Sequence, residues 1–564
     1  MHHQLELRKK VIIMLSVMAS LFLVALDQTI IATALGRIVE EFNSFNSLSW
    51  IVTAYLLTTT ITVPIAGKMS DLFGRRIVLL IGVAIFGFGS LLSGMSSSIE
   101  QLVMWRALQG IGGGIITANA FTIIADLFAA RERGRWQGMI GAVFGLSSLV
   151  GPLLGGWLTD PHAIFGLTTS WRWTFWINVP IALAAFAIIA VFCPPLKHQR
   201  RPVVDYIGAT LLTIALGTLV LSVDNTENIF KDFLASTGWS IDMLRAMMFS
   251  IVGLAAVLFV WIEKRAKEPI IPLSFFKNRN YVLLTGVATL FGAAFLGSIL
   301  YLTQFNQQVF GASPTESGLM LLPMIAGLMI SSITSGQIIS KTGRYKIFMQ
   351  VGIVVATVMV GLLTTLTPES SYAYEAVLML ILGAGLGVVM PVMQLAVQNE
   401  FEQKDMGVAT SSNQLFRSLG STVGVAIFGA MLTAGLTANL EGIQQDEYLI
   451  QLRKNPVASK IGDFDDSNTL LTLNMPDAKS RITDGFRTAV EAEQIPESAK
   501  EAISRDFAKN QSEYSNKVTH AFSDSLRAIF TLSASLMLFA AVLVFSLKEK
   551  QLKAASSEDA PGVA

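Results

Sequence analysis

Two stretches of the chain share one pattern of glycines and basic residues: GKMSDLFGRR at Gly67–Arg76 and GQIISKTGRYK at Gly336–Lys346. The initial glycines of the two stretches are 269 residues apart, and the same number separates Gly74 from Gly343. A match of spacing as well as residue type indicates an internal repeat, because chance similarity has no reason to keep one offset.

A second pair of segments supports this repeat. LQGIGGG at Leu108–Gly114 resembles LGAGLGV at Leu382–Val388, and the offset between them is about the same. Parallel repeats around a central site are typical of transporters, in which one half rocks against the other. A receptor or a membrane enzyme does not need this pattern.

Composition places the repeat in a membrane. The chain has 564 residues, of which 52% are hydrophobic and 14% are charged, whereas soluble domains carry roughly 25% charged residues. Its mean hydropathy is +0.56. The apolar residues form blocks long enough to cross a bilayer, which takes about 20 residues each. We predict fourteen spans, the first at Val11–Leu35 and the last at Leu526–Leu547. This composition excludes a soluble enzyme, a disordered protein and a disulfide scaffold.

The direction of the spans follows from the basic residues in the loops. With the N-terminus inside, the cytoplasmic segments hold 24 Lys and Arg, and the six short outer loops hold four. We therefore expect both termini in the cytoplasm of a multi-pass protein of a bacterial cytoplasmic (inner) membrane. The basic start, Met1–Lys10, leads into a long span without a cleavage site, so we expect a retained first helix.

Other classes of function lack support in the sequence. The single cysteine, Cys193, allows no intramolecular disulfide and no cysteine metal cluster. A net charge of +1 argues against a nucleic-acid partner. The five histidines are terminal or scattered, and the GIGGG run lies within a span instead of forming a P-loop. We expect no enzyme activity, no metal and no cofactor.

The repeat divides the chain into a 6 + 2 + 6 arrangement of spans. We predict five segments: an N-terminal six-helix bundle (1–200), two inserted spans with a cytoplasmic linker (201–280), spans 9–13 (281–436), an extracytoplasmic insertion (437–520), and span 14 with a cytoplasmic tail (521–564).

The insertion at 437–520 is polar, with 14 acidic and 10 basic residues. Part of it, ESAKEAISRDFAKN at Glu497–Asn510, has apolar residues at helical spacing. Its cluster of Asp463, Asp465 and Asp466 lacks the glycine and distal glutamate of an EF-hand, so we interpret it as a solvated turn instead of a calcium site. The insertion is also a candidate docking site for a periplasmic adaptor.

Five motifs together resemble the major facilitator superfamily, and more narrowly its fourteen-span drug:proton antiporter (EmrB/QacA-type) branch. They are GKMSDLFGRR, LDQTIIATAL in span 1, RALQGIGGG in span 4, SLVGPLLGG in span 5 and WRWTFWINVP opening span 6. The resemblance implies an all-α major facilitator fold that acts as a monomer among membrane lipids. It covers spans 1–13, and the function of the outer insertion does not transfer.

Three charges lie well inside the predicted spans: Asp27, Arg106 and Arg417. At about 1.5 Å per residue, Asp27 lies roughly 12 Å and Arg106 roughly 8 Å below the outer surface, so the two can pair. A charge within the membrane is a functional hypothesis by default, and the resemblance implies that Asp27 and Arg106 have proton-coupling or substrate roles, of which we predict proton coupling. A static salt bridge is the alternative. For Arg417, structure and function stay equally open.

A cytoplasmic gate is predicted at the turn after span 2, where Asp126 at the end of span 4 is on the same side as Arg75. The resemblance favours a latch that closes the cytoplasmic face. The alternative is that these basic residues only set the orientation of the spans. The predicted members of the latch are Gly67, Asp71, Gly74, Arg75, Arg76 and Asp126.

Span 5 carries small residues at four-residue spacing and a proline that bends the helix. This string resembles the antiporter motif of exporters, and its predicted hinge residues are Ser147, Gly151, Pro152, Gly155 and Gly156.

Polar and aromatic residues of the spans are candidates to line a substrate cavity, although each is individually more typical of helix packing. The candidates are Tyr55, Gln109, Asn119, Tyr301, Gln304, Gln394, Gln398 and Arg417. A large apolar cavity with one acid suits lipophilic, often cationic, compounds. We therefore predict a proton-coupled multidrug exporter of the kind that confers antibiotic resistance. Export of an endogenous lipid, peptide or siderophore is the alternative, and a sensor or enzyme using the outer insertion is a remote one.

Overall fold

The computed structural model describes residues 6–42, 48–159, 163–164, 167–194, 203–223, 226–312, 314–440, 442–453, 467–492 and 496–552. Within these residues, fourteen helices are long and apolar enough to cross a membrane, as predicted. In chain order, spans 1 to 14 are Leu7–Phe42, Leu48–Phe73, Arg75–Gly94, Ile99–Leu127, Ala130–Thr159, Trp173–Phe192, Tyr206–Val223, Ile241–Glu263, Arg279–Gln308, Leu322–Thr342, Lys346–Leu363, Tyr372–Glu400, Met406–Asn439 and Glu497–Phe545.

Shorter elements connect the spans. Span 6 is divided at Ile177 into Trp173–Trp176 and Asn178–Phe192. The remaining helices are Thr226–Ile229, Lys231–Thr237, Pro314–Met320, Glu447–Arg453, Ser467–Leu473 and Pro476–Ala492, and the 3₁₀ turns are Leu273–Lys277, Gln403–Asp405 and Ile443–Gln445. Two antiparallel strands, Ala163–Ile164 and Leu167–Thr168, form a hairpin between spans 5 and 6.

The predicted repeat is visible in the packing. Span 4 lies against spans 2 and 3, and span 12 lies against spans 10 and 11. Both contacts run through glycines: a side chain on Gly112 would meet the backbone of Phe86, and one on Gly383 would meet the backbone of Met324. Glycine at these positions lets the helix backbones approach closely.

The repeated loops match as well. Gly74 has φ 100° and Gly343 has φ 71°, conformations that glycine adopts without the steric cost that a side chain imposes. In each half, the glycine therefore ends one helix and lets the chain turn directly into the next. This explains why the pattern in the sequence repeats at these two positions.

The core is divided between the two halves. One cluster of buried apolar residues joins spans 1 to 6, and a larger one joins spans 9 to 14. Spans 7 and 8 pack on each other, and span 7 lies against span 2. Span 8 exposes large apolar side chains such as Leu254 and Val257, as expected for a helix that faces lipid.

The outer insertion forms a small helical cap whose last helix continues into span 14. The helix of Glu497–Asn510 is present, but it continues without interruption into span 14, giving one helix of 49 residues. The sequence from Glu497 to Phe545 contains neither glycine nor proline, so nothing ends the helix at the membrane surface. The predicted boundary at His520 therefore falls inside a helix.

The cap has an apolar core of its own. Tyr448 of the first cap helix packs on Phe507 and Tyr514 of the long helix, with ring centroids 5.4 and 5.1 Å apart. Asn474 binds the outer end of span 9, where its Nδ2 donates to Gln308 Oε1 at 3.0 Å. The Asp463, Asp465 and Asp466 cluster lies outside the described residues.

Candidate functional site

Asp27 and Arg106 meet in the N-terminal half, the pairing that the sequence allows. The guanidinium Nη1 lies 2.5 Å from Asp27 Oδ2, and the two side chains are 0% and 1% exposed. The other carboxylate oxygen accepts from Gln109 Nε2 at 2.9 Å and from Asn178 Nδ2 at 3.2 Å. The carboxylate is thus held by one cation and two amides, which together offset the cost of burying its charge.

Arg106 is itself held on several sides. Its Nε donates to the Ile51 carbonyl at 3.3 Å and its Nη1 to Gln109 Oε1 at 2.8 Å. Its guanidinium carbon lies 4.3 Å from the centre of the Tyr55 ring and 5.6 Å from that of Phe175. Aromatic faces attract a desolvated cation. Tyr55 and Gln109, predicted to line a cavity, therefore belong to this Asp27 cluster.

Asn178 is a member of the Asp27 cluster that sequence reasoning missed. It lies just after the break in span 6 and also donates to Ser90 Oγ of span 3, at 3.1 Å. The signal was present, because Asn178 is the one amide in WRWTFWINVP. Its partner was not readable, since no local pattern says which helix span 6 packs against.

A cavity of about 440 Å³ lies between the two halves. Its wall comes from spans 1, 2, 4 and 5 on one side and from spans 9, 10, 12 and 13 on the other. Most lining side chains are apolar, whereas a polar strip follows span 13 through Gln414, Arg417, Ser418, Ser421 and Thr422. This volume falls in the range of small-molecule sites.

Among the predicted cavity residues, Arg417 is the one that lines this cavity. The others lie elsewhere: Tyr55, Gln109, Asn119, Tyr301, Gln304, Gln394 and Gln398. Asn119 donates to the Ile115 carbonyl of its own helix, Tyr301 packs against Phe428, and the Gln398 amide donates to the Phe121 carbonyl of the other half at 3.0 Å.

The charge of the cavity wall differs from what the sequence suggests. Asp27 is fully buried and points away from the cavity, whereas its neighbour Gln28 lines it. Of the described residues that line the cavity, Arg417 is the one with a formal charge. The reason given for a cationic cargo, an acid facing the cavity, is therefore absent from this state of the protein.

The predicted latch residues form a buried cluster at the cytoplasmic side. Arg75, fully buried, pairs with Asp71 and places its Nε 2.8 Å from Asp126 Oδ2. It also donates to Ser70 Oγ. Arg76 turns away and donates to the Ala190 carbonyl at the end of span 6. Arg75, and not Arg76, therefore carries the charge of the latch.

The predicted latch residues also contact the other half. The backbone N–H of Val408 in span 13 donates to Asp71 Oδ2 at 3.0 Å, and Gln403 Nε2 donates to Asp126 Oδ1 at 3.2 Å. A side chain on Gly67 would meet Ser411 of span 13. The cytoplasmic side is therefore closed in this structure.

Spans 5 and 10 close the same side through glycines. A side chain on Gly134 would meet the Gly336 carbonyl, one on Gly138 would meet the Ser332 carbonyl, and Ser332 Oγ donates to the Gly138 carbonyl at 2.9 Å. The predicted hinge lies further along span 5. There, Ser147 accepts from Thr29 Oγ1 of span 1 at 3.0 Å, while Gly156 has open space around it.

Gly138→Ala is expected to favour the cytoplasm-open state. The added methyl overlaps the Ser332 carbonyl, and overpacking costs about 1–3 kcal/mol, which shifts the closed-to-open ratio by about fivefold to 150-fold. The measurement is labelling of Ser411→Cys, in a Cys193→Ser background, by an impermeant maleimide added to inverted vesicles. Gly156→Ala is the matched control, and equal labelling in both variants would contradict the contact's role in closure.

Glu375 is a buried acid that the sequence analysis did not single out, because it lies in the first turn of span 12. It is fully buried, and the Asn306 amide of span 9 donates to both of its carboxyl oxygens at 2.9 Å. No ion pair to Glu375 is found among the described residues. The C-terminal half thus has a buried carboxyl of its own.

Comparisons with known proteins agree with this architecture. A family model described as Major Facilitator Superfamily matches residues 17–425. The multidrug transporter protein MdtP of Bacillus subtilis is 34% identical over 86% of this chain and 87% of its own. Multidrug resistance protein 3 of the same organism is 34% identical over 76% and 80%.

Solved structures share the fold at low identity. The human organic anion transporter MFSD10 has a TM-score of 0.56 and 16% identity over 75% of this chain and 93% of its own. The proton:xylose symporter XylE has a TM-score of 0.53 and 16% identity over 75% and 88%.

Proposed function

The chain belongs to the major facilitator superfamily and is a multi-pass membrane transporter, not an enzyme; from this premise we propose that it exports lipophilic compounds in exchange for protons. The observation that carries the proposal is the Asp27 cluster. An acid that is sealed from water by Arg106, Gln109 and Asn178 in one state can carry a proton only if a movement of the protein changes its surroundings.

The contacts that close the cytoplasmic side indicate which movement this is. The latch around Arg75 and the glycine contact of spans 5 and 10 join the halves at one end of the cavity. Neither contact survives if the halves rock apart on that side. Opening there exposes the central cavity to the cytoplasm, which is the motion that alternating access requires.

The same movement changes the surroundings of Asp27. One residue away, Gln28 faces the cavity, so a small rotation of span 1 or an inflow of water brings the carboxylate into contact with the cavity. Water in the cavity then gives a proton a route to the carboxylate, a route that the sealed state closes. Rocking of the halves thus loads the proton in one state and releases it in the other.

The direction of transport rests on the relatives. Both Bacillus subtilis proteins are named for multidrug transport or resistance, and a fungal relative from Dothistroma septosporum, 33% identical over 73% of this chain, is named an efflux pump. These names support export of several compounds over uptake of one nutrient. These names do not state the charge of the exported compound, which is inferred from the cavity residues instead.

The test is transport by inverted membrane vesicles that contain the protein. We expect a lipophilic fluorescent compound to accumulate when the vesicle interior is acidic, and accumulation to stop when a protonophore collapses the gradient. Vesicles without the protein are the control. Accumulation that persists unchanged after collapse would contradict proton coupling. Absence of transport for a broad panel, together with an altered envelope lipid profile on deletion, would favour an endogenous cargo.

A further inference from the structure

We propose that the central cavity takes a lipophilic compound with one oxyanion group, such as a carboxylate or sulfonate, and that Arg417 and Gln414 bind this group. The inference rests on the proposed function in one respect, because it treats the cavity as the cargo site. It goes further by assigning the charge of the cargo and the residues that recognise it.

Arg417 carries a charge that nothing in the described protein balances. It lies in the first half of span 13 and lines the cavity. Its Nε has no hydrogen-bond partner, and no ion pair, side-chain hydrogen bond or ring contact to it is found in the described part of the chain. A guanidinium held in a mainly apolar site without an anion is costly, so the site is incomplete without a ligand that supplies one.

Gln414 is an independent observation at the same place. It lines the cavity one helical turn before Arg417 and is 2% exposed. Among the described residues, neither its Oε1 nor its Nε2 has a hydrogen-bond partner. Residues three apart lie on one helix face, so the Gln414 amide and the Arg417 guanidinium offer donors to the same ligand group. Buried amides left unpaired are uncommon in folded proteins.

The rest of the wall fits the apolar part of such a compound. Opposite span 13, the lining includes Phe144 of span 5 and Met324 and Ile325 of the span 10 region, with Phe295 and Leu296 of span 9 beside them. A cavity of about 440 Å³ with one polar corner orients an amphiphile, its body against the aromatic wall and its charged end on span 13.

The charge balance of the centre excludes the opposite choice. Asp27 is paired with Arg106 and is fully buried away from the cavity. Among the described lining residues no acid offsets Arg417. In a low-dielectric cavity like charges repel strongly, so a cationic compound meets an unfavourable field and an anionic one a favourable field.

The test is equilibrium binding to the full chain in lipid nanodiscs without a pH gradient. The probes are 11-(dansylamino)undecanoic acid, its methyl ester and the matching dansyl amine, followed by dansyl fluorescence. They share one apolar body and differ in the charge of the end group. We expect the acid to bind at least about tenfold more tightly than the ester or the amine, the ratio typical of one charge-assisted hydrogen-bonded contact.

Variants assign the selectivity to the two residues. Arg417→Gln is expected to weaken binding of the acid about tenfold or more and to leave the ester within about twofold. Arg417→Lys keeps the charge and should keep most of the preference for the acid. Gln414→Leu should weaken the acid less than Arg417→Gln does. Arg265→Gln, which removes an exposed cytoplasmic arginine, is the matched control for charge and should bind like the wild type.

Three results would overturn the proposal. The first is equal or tighter binding of the ester or amine by the wild type, a measurement that needs no variant to fold. The second is unchanged acid binding in Arg417→Gln. The third is an equal loss of binding for the acid, the ester and the amine in Arg417→Gln, which would mean that the substitution collapses the cavity as a whole. Because no gradient is applied, selective binding with failed gradient-driven transport would count against proton coupling alone.

Discussion

Asp27→Asn is expected to reduce pH-gradient-driven efflux to the level of vesicles that lack the protein. The substitution keeps the size of the side chain and one oxygen that accepts from Arg106, but it removes the group that binds and releases the proton. Equilibrium binding of cargo should stay within a few fold, because Asp27 does not line the cavity. The measurements are gradient-driven accumulation and ligand binding on the same preparation.

A structural salt bridge would give the same first result, and a second variant separates the two explanations. Asp27→Asn leaves Arg106 buried without its counter-ion, a defect that costs about 3–5 kcal/mol. The double variant Asp27→Asn/Arg106→Gln removes both charges and with them this defect. If Asp27 carries the proton, the double variant folds like the wild type and stays inactive in gradient-driven efflux.

Recovery of gradient-driven efflux in that double variant would contradict the proton role and support a static ion pair. Asp27→Glu is the complementary control. It keeps a titratable carboxyl at a slightly different position, so we expect partial activity together with a changed dependence on pH. An inactive but well-folded Asp27→Glu would show that position is as strict a requirement as titration.

The fold could be predicted almost completely from the sequence. Span number and direction depend on apolar length and on loop charge, and both are local properties. The repeat could be recognised because Gly74 and Gly343 meet the same backbone requirement, a positive φ, in both halves. What the sequence did not show was that the helix of span 14 extends back into the outer insertion, because hydropathy marks the membrane boundary and a helix continues as long as nothing breaks it.

The Asp27–Arg106 pair was predictable for a similar reason. Depth along a helix is simple arithmetic, and few charges exist in the membrane to choose from. Asn178, in contrast, joins the cluster through the packing of span 6 against spans 1 and 3. The sequence around it says that an amide is present and does not say which residue it faces.

The cavity could not be predicted residue by residue. Polar type does not determine which way a side chain points, and helix rotation decides whether it meets the cavity or a neighbouring helix. Gln398 and Tyr301 contact neighbouring helices, whereas Gln414 and Ser418 of span 13 line the cavity. The bonds of the latch to the other half were equally hidden, since the N–H of Val408 is a backbone group and leaves no mark in the sequence.

Arg75→Gln is expected to have the largest effect on stability of any single substitution at the cytoplasmic side. Arg75 is the one cation that contacts both Asp71 and Asp126 in the described structure, and all three side chains are nearly inaccessible. Its loss leaves two carboxylates buried side by side, which costs about 3–5 kcal/mol. We expect the thermal unfolding midpoint in detergent to fall by at least about 5 °C.

The same substitution weakens the closed state, because the Asp71 and Asp126 carboxylates are also the acceptors that hold Val408 and Gln403 of the other half. Labelling of Ser411→Cys from the cytoplasmic side should therefore rise. Arg76→Gln is the matched control: it removes the same charge from the same loop and loses one bond to the Ala190 carbonyl, for about 1 kcal/mol. Adding Asp126→Asn to Arg75→Gln removes one unpaired carboxylate and should restore part of the stability. If Arg75→Gln unfolds and labels like Arg76→Gln, the latch is a feature of topology and does not hold the halves together.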